Sequence, residues 1–267
     1  MNANPSVSLI FVNYRSARYL TGALKSLFSF ELADDFFEVI VVNNDSSERI
    51  ALQNLQRAFP FLLIESSENT GFGCGCNLGA RRARGAILGF INPDVLWEGT
   101  YLRKIAAVFG ENRQVGVLGM ALFDTKRRPE AWSVGEEPSF ISLSLNNFLP
   151  VRRAAYQNQK SFSSDWVSGG ALFVRAALFA EIGGFDERFF LYFEDADLCK
   201  VVRRLGFSVI SCPQFPLIHL GGKSQISRQL QKKHFYDSQK KYFEKHRPTW
   251  ENNALKFLHF FFRKIQV

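Results

Sequence analysis

VSLIFVNYRS, residues 7–16, is an apolar, largely β-branched and aliphatic run that stops on an amide, Asn13, and reaches at Ser16 a residue suited to open a helix. Leu20, Leu24, Leu27 and Phe28 then share one helical face. This is a βα unit, and the pattern recurs. Residues 38–42 (EVIVV), 61–64 (FLLI) and 86–91 (AILGFI) read as further buried strands. Leu52, Leu55 and Phe59 mark a second helix, and a third spans roughly 74–84 with Gly85 as its stop. Strands alternating with helices predict right-handed crossovers and a largely parallel sheet, whose ligands sit beyond the C-terminal strand ends. Those ends are Asn13-Tyr14, Asn43-Asn44-Asp45, Glu65 through Asn69, and Asn92-Pro93-Asp94. Turn chemistry explains any one of them; four together favour a polar binding edge.

The 267 residues, 46% hydrophobic and 22% charged, allow one large α/β domain or two small ones. Met1 to Pro5 hold no basic residue, the apolar run from Val7 to Val12 is too short for a signal-peptide core, and no stretch approaches the ~20 apolar residues of a spanning helix. Cytosolic residence is the expectation. Cys74, Cys76, Cys199 and Cys212 form no CxxC pair, which points to reduced, buried thiols. Residues 223–267 carry eleven Lys and Arg against three Asp and Glu, which accounts for the whole net charge of +8. A neutral domain with a basic extension is expected to meet an anionic surface through that tail, membrane or acidic ligand, and no nucleic acid.

Periodicity fades over residues 120–165, the mark of a long excursion with a helix inside it, before DWVSGGALFVR (165–175) restores a strand. GFGCGCNLG (71–79) fails the dinucleotide pattern, since Cys76 and Leu78 stand at the third-glycine positions. It leaves glycines before a helix, where amides approach a phosphate or a tight turn forms. FINPD (90–94) ends a strand on a carboxylate, where a turn or a hard cation with a diphosphate fits. A cation would need a second protein ligand or substrate oxygens, and His219, before Gly221-Gly222, is a candidate. YFEDADLC (192–199) sets Glu194, Asp195 and Asp197 behind the apolar run Phe189 to Phe193, ahead of a helix over Leu198, Val201, Val202 and Leu205 that stops at Gly206. Helix-dipole stabilisation accounts for one or two of these acids. A carboxylate fixed in so apolar a setting also suits a general base.

These segments, VSLIFVNY, VIVVNNDSS, NTGFGCGCNLGARRA, FINPD, VSGGALFVR, GGFDERFFLYFEDADLC and HLGGKS, resemble in order and spacing the motifs of the family 2 glycosyltransferases, particularly the bacterial rhamnosyltransferase-like branch, over residues 6–224. The resemblance implies a GT-A fold: a Rossmann-like, mostly parallel sheet flanked by helices, with a donor-binding half at about 6–110 and an acceptor half at about 111–224. Residues 225–267 then form a basic helical extension. It implies an inverting transfer of a sugar, L-rhamnose from a deoxythymidine-diphosphate donor, to a hydroxyl of a lipid-linked glycan in surface polysaccharide synthesis. Asp195 would be the base, and Asp94 with His219 would hold Mn²⁺ or Mg²⁺. Donor contacts are expected at Asn13, Asn43, Asp45, Gly73, Asn77, Asn92 and Asp94, and acceptor contacts at Trp166, Gly169, Gly170, Glu194 and Asp197. Asn43 stands where members of the family usually carry an aspartate facing the base; an amide still hydrogen-bonds a pyrimidine imide.

NALKFLHFFFRK (253–264) mixes Leu255, Leu258, Phe261 and Phe262 with Lys256, Arg263 and Lys264, as interfacial helices do. Either it meets the inner face of the cell membrane or it docks on its own domain. The sequence leaves oligomeric state open, together with three rival functions: another hexosyl- or galactofuranosyltransferase, a nucleotidyltransferase, and a non-catalytic nucleotide-sugar-binding protein. The nucleotidyltransferase should show a glycine-rich basic loop after the first strand, where Asn13-Tyr14-Arg15-Ser16 stands instead.

Overall fold

The computed structural model describes residues 5–32, 34–130, 132–145, 160–221 and 227–265. Gly222 and residues 156–159 lie outside them, as do the side chains of Phe261, Phe262, Arg263 and Lys264. The expected βα repeats are present: β1 (Val7–Asn13), α1 (Ala17–Phe30), β2 (Phe37–Asn43), α2 (Arg49–Ala58), β3 (Leu62–Glu65), α3 (Phe72–Ala80) and β4 (Ile87–Ile91). There follow β5 (Val95–Trp97), α4 (Leu102–Glu111), β6 (Val115–Phe123), β7 (Val134–Gly135), α5 (Phe140–Leu145), β8 (Phe162–Ser163), β9 (Trp166–Val167) and β10 (Ala171–Arg175). The chain continues through α6 (Ala176–Glu181), α7 (Glu194–Arg204), β11 (Ser208–His219), α8 (Arg228–His246) and α9 (Thr249–Ile265).

The main sheet runs β3-β2-β1-β4-β10-β6-β11-β5, with β8 on β11. It is parallel from β3 to β4, but β10 is antiparallel to both β4 and β6. That inversion makes the sheet more mixed than its first four strands foretell, and it matters for function. Because β10 enters at the edge where β4 leaves, the Asn92 N–H donates to the Gly170 carbonyl at 2.9 Å. At the far side β11 pairs His219 with Val95, directly after Asp94. Segments distant in sequence thus meet at one sheet edge.

Strand residues alternate between two apolar layers, as a period of two requires. Leu9, Phe11, Val39 and Val41 face Leu20, Leu24 and Leu27 of α1, Leu52 of α2 and Leu102 of α4. Ile10, Val12, Ile40 and Val42 face Cys76 of α3, with Leu178 of α6 and Leu198 and Val202 of α7 in the same layer. Gly79 permits α3 to lie this close, since a Cβ there would sit 2.5 Å from Ile10 Cγ2. A third cluster joins Phe189, Phe193 and Ala196 to Tyr242, Phe243 and Leu255, so the C-terminal helices dock on the α7 side of the domain.

Two local expectations are corrected. The Ser16 side chain does not cap α1: its hydroxyl donates to Asn13 Oδ1 at 2.9 Å. The helix amides of Ser16 and Ala17 donate instead to the Glu48 carboxylate, at 2.8 and 3.2 Å, which sequence proximity could not suggest. Likewise Gly85 is no helix stop, because α3 ends at Ala80. Gly85 lies against the start of β1, donating its N–H to Ser8 Oγ at 2.9 Å.

Candidate active site

Asp195 lies in the first turn of α7, behind two consecutive residues in the left-handed region, Tyr192 (φ 71°) and Phe193 (φ 67°). Such conformations cost of order 1–3 kcal/mol each, and aromatic packing of Phe193 on Phe235 and Tyr242 holds this one. The tight entry aims the Asp195 carboxylate at the start of β10. Its Oδ2 accepts the Gly169 N–H at 2.9 Å and its Oδ1 the Ala196 N–H at 2.7 Å. Burial pushes the Asp195 carboxyl up and these N–H bonds pull it back, leaving it above the ordinary carboxylate value. For Glu194, burial and then the Asp195 charge push the carboxyl well up.

Across the sheet edge, Asp94 Oδ1 lies 3.2 Å from His219 Nε2, while His219 Nδ1 meets the two Glu130 oxygens at 2.9 and 3.0 Å. Burial disfavours the imidazolium, but the bonds to Asp94 and Glu130 outweigh it and raise the His219 pKa to about 10. Among the described residues no group of three or more His, Cys, Asp or Glu side chains is arranged to hold a metal. The Asp94 and His219 pair nonetheless fits two adjacent positions of an octahedral ion, which at bonds of about 2.1 Å lie about 3 Å apart. Glu130 would then act as the outer carboxylate fixing the ring. The remaining ligands would have to come from substrate.

A cavity of about 530 Å³ joins these groups: Asn92, Trp166, Gly169, Gly170, Glu194, Asp195 and His219 all line it. The sequence pointed to each of them. It missed Glu130 and Glu136, in the aperiodic stretch, and also Gln231, Lys232, Phe235 and Tyr236 of α8. The only signal for α8 was its aromatic pairs among lysines, which composition had set apart as a tail.

Three expected contacts are corrected. Asp197 is 3% exposed and accepts from Lys245 Nζ at 2.9 Å, with His246 Nε2 2.6 Å away, so it anchors α8 to α7 rather than meeting an acceptor. Asn77 spends its amide on the Phe185 N–H (2.9 Å) and C=O (2.8 Å) and on Glu187 (3.0 Å), and Gly73 lies buried against Phe185 and Glu194. At the α3 N-terminus two amides are likewise spent: Gly71, at φ 88°, donates its N–H to Asn69 Oδ1, and Phe72 donates to the Phe190 carbonyl. These glycines therefore serve close packing rather than a phosphate.

At the ends of β1 and β2, Asn13 and Asn43 are wholly buried. Asn13 Nδ2 donates to Asn43 Oδ1 at 3.1 Å and to Glu48 at 2.9 Å, and Asn43 Nδ2 donates to Glu65 at 2.9 Å. Asp45 caps the short 3₁₀ turn Ser46–Glu48; its bonds to Ser47, with Arg15 beside it, hold its carboxyl below the usual value. The three expected donor residues are thus brought together, with carboxylates from Asp45, Glu48 and Glu65 around two amides.

Residues 8–182 match the family model described as glycosyl transferase family 2. The Escherichia coli K12 rhamnosyltransferase WbbL is 24% identical over 228 residues, 80% of this chain and 83% of that protein. The Mycobacterium tuberculosis H37Rv N-acetylglucosaminyl-diphospho-decaprenol L-rhamnosyltransferase is 26% identical over 203 residues, 68% of this chain and 66% of its own length. Among solved structures, the Pyrobaculum calidifontis mannosyltransferase PcManGT, in complex with GDP-Man and Mn²⁺, superposes with a TM-score of 0.63 at 16% identity, covering 91% of this chain and 64% of that one. Staphylococcus aureus TarS 1-349 gives a TM-score of 0.58 at 16% identity, covering 91% and 73%. The fold is that of the GT-A glycosyltransferases, and with most of its α/β body inside the family model the chain belongs to glycosyl transferase family 2, on its rhamnosyltransferase-like branch.

Proposed function

We propose that the protein transfers a hexosyl group, L-rhamnose from a deoxythymidine-diphosphate donor, with inversion to a hydroxyl of a lipid-linked glycan acceptor in bacterial surface polysaccharide synthesis. The observation that carries this reading is one cavity that presents the Asp195 carboxylate from α7 and His219, paired with Asp94, from the sheet edge. Two relatives named as rhamnosyltransferases support the sugar, and the name of the second supports a lipid-diphosphate acceptor. Asp195 takes the proton of the acceptor hydroxyl as that oxygen attacks the anomeric carbon from the face opposite the diphosphate, and the departing bond's electron pair goes to the diphosphate. Asp94 and His219 hold the divalent ion, Mn²⁺ or Mg²⁺, with Glu130 locking the imidazole. Bound there, the ion would supply neutralisation of the leaving group's charge. Asn92 at the end of β4 and Asp45 after β2 contribute the donor side, with the buried Asn13 and Asn43 holding that edge from behind. Trp166, Gly169 and Gly170 shape the acceptor wall, and α8 closes it.

A panel of nucleotide sugars assayed with Mn²⁺ against a lipid-linked acceptor tests this: transfer should be fastest from the deoxythymidine-diphosphate rhamnose donor. A non-catalytic nucleotide-sugar-binding protein is the second reading, motivated by Asn43 standing where members of the family usually carry an aspartate. Metal-dependent donor binding without turnover across the panel would select it.

No helix among the described residues is long and apolar enough to cross a membrane. We place the protein at the cytoplasmic face, with its basic extension against anionic lipid. Leu255 of α9 is buried on the domain, while Trp250 and Phe257, seven residues apart and so on one helical face, are 58% and 63% exposed. Replacing both with Ser should cut sedimentation with phosphatidylglycerol vesicles several-fold. Unchanged sedimentation would remove α9 as the contact.

A further inference from the structure

Glu194 opens α7 beside the proposed base, yet no step of the transfer uses it. Its side chain is buried, its Oε2 has no hydrogen-bond partner, and it joins no ion pair among the described residues. The titratable groups that face it are Asp195 and Asp197 on its own helix, Tyr192 just before it and Cys76 on α3, none of them a cation. The cations that share its cavity sit on other elements: His219 is held between Asp94 and Glu130, Lys232 lies on α8, and neither pairs with Glu194 among the described residues. The stem of the side chain packs against Gly73 of α3, where a Cβ would lie 3.6 Å from Glu194 Cβ. Asp195, one residue on, lines the same cavity but is less deeply buried, and its two oxygens receive backbone N–H bonds where Glu194 Oε2 receives none. An anion with a buried, orphaned oxygen is far costlier than a neutral acid, whereas backbone amides stabilise the charged form.

We propose that Glu194 keeps its proton throughout the working pH range and acts as an uncharged positioning residue, leaving Asp195 the sole anion of the adjacent pair. Burial and the neighbouring Asp195 charge, which push its carboxyl well up, agree with this assignment. It rests on Asp195 being the base. The pair then holds one proton at rest and two once the acceptor's hydroxyl proton has moved to Asp195. Release of that second proton to water restores it. The arrangement separates two carboxylates by environment, one neutral and one charged, as acid and base assignments in catalytic pairs require.

The pH dependence of kcat/KM for wild type and Glu194→Gln tests the proposal. An amide copies a neutral acid in shape and charge, so the midpoint of the acid limb should not move. A drop of that midpoint by about one unit or more, the result of deleting a neighbouring negative charge, would overturn it. Infrared difference spectroscopy near neutral pH gives a second reading that needs no turnover. The carbonyl band of a protonated carboxylic acid should appear in wild type and in Asp195→Asn and vanish in Glu194→Gln; a wild type lacking the band also overturns the proposal. An active Asp195→Asn enzyme would instead remove the base, and the band would still report the Glu194 proton, so the two failures are distinguishable.

Discussion

Asp195→Asn lowers turnover by ~10²-fold or more while metal-dependent donor binding persists. The amide occupies the same space but cannot take the acceptor's proton. It can still accept one of the two backbone N–H groups that now hold the carboxylate, from Gly169 and Ala196. The loss should therefore fall on kcat with KM for the donor nearly unchanged, which steady-state kinetics alongside calorimetric donor titration separates. Wild-type activity should fall as pH drops through the Asp195 pKa, and because burial raises that value the acid limb lies above the ordinary carboxylate range. Near-normal turnover in the variant would strip Asp195 of its role.

Asp94→Asn produces the opposite split. Removing this carboxylate takes away the anionic ligand of the proposed ion and one of the two groups that raise the His219 pKa. Loss of a supporting outer carboxylate alone typically costs 10- to 100-fold in metal affinity, so loss of a ligating one should cost at least roughly that. Donor binding measured with Mn²⁺ should collapse toward the level seen with EDTA, and kcat/KM should follow it. Donor affinity that survives the substitution, together with unchanged turnover, would place the ion or the diphosphate elsewhere.

The βα repeat was legible because the early strands are apolar runs and α1 and α2 each keep a single leucine face. The same logic located Asn92, Asp94, Gly169, Asp195 and His219, all at strand ends or at a helix start. What escaped was information carried between segments. Glu48 caps α1 from 31 residues away, and no local pattern prefers it to the Ser16 that stands in the right place. Asn77 looked like a donor contact in a glycine-rich segment, yet it clamps Phe185 from 108 residues away. Asp197 looked like a third member of an acidic site until Lys245 and His246 folded back on it. Charge counted along the chain showed the tail as a separate basic block, although Arg247 reaches back to Glu137, whose carboxyl Lys200 and Arg203 hold down at about 2 despite burial.

The ties from Asp197 and Glu137 to α8 and Arg247 set an order of assembly during synthesis. Domains form as the nascent chain emerges, and the sheet with its strand-end residues is translated first. Asp197 and Glu137 then await cations encoded some 50 and 110 residues later. Until residues 228–247 have left the ribosome, the cavity lacks its α8 side and these carboxylates lack cations from that segment. The last wall of the cavity is thus added only when α8 docks, after every strand of the sheet has been made.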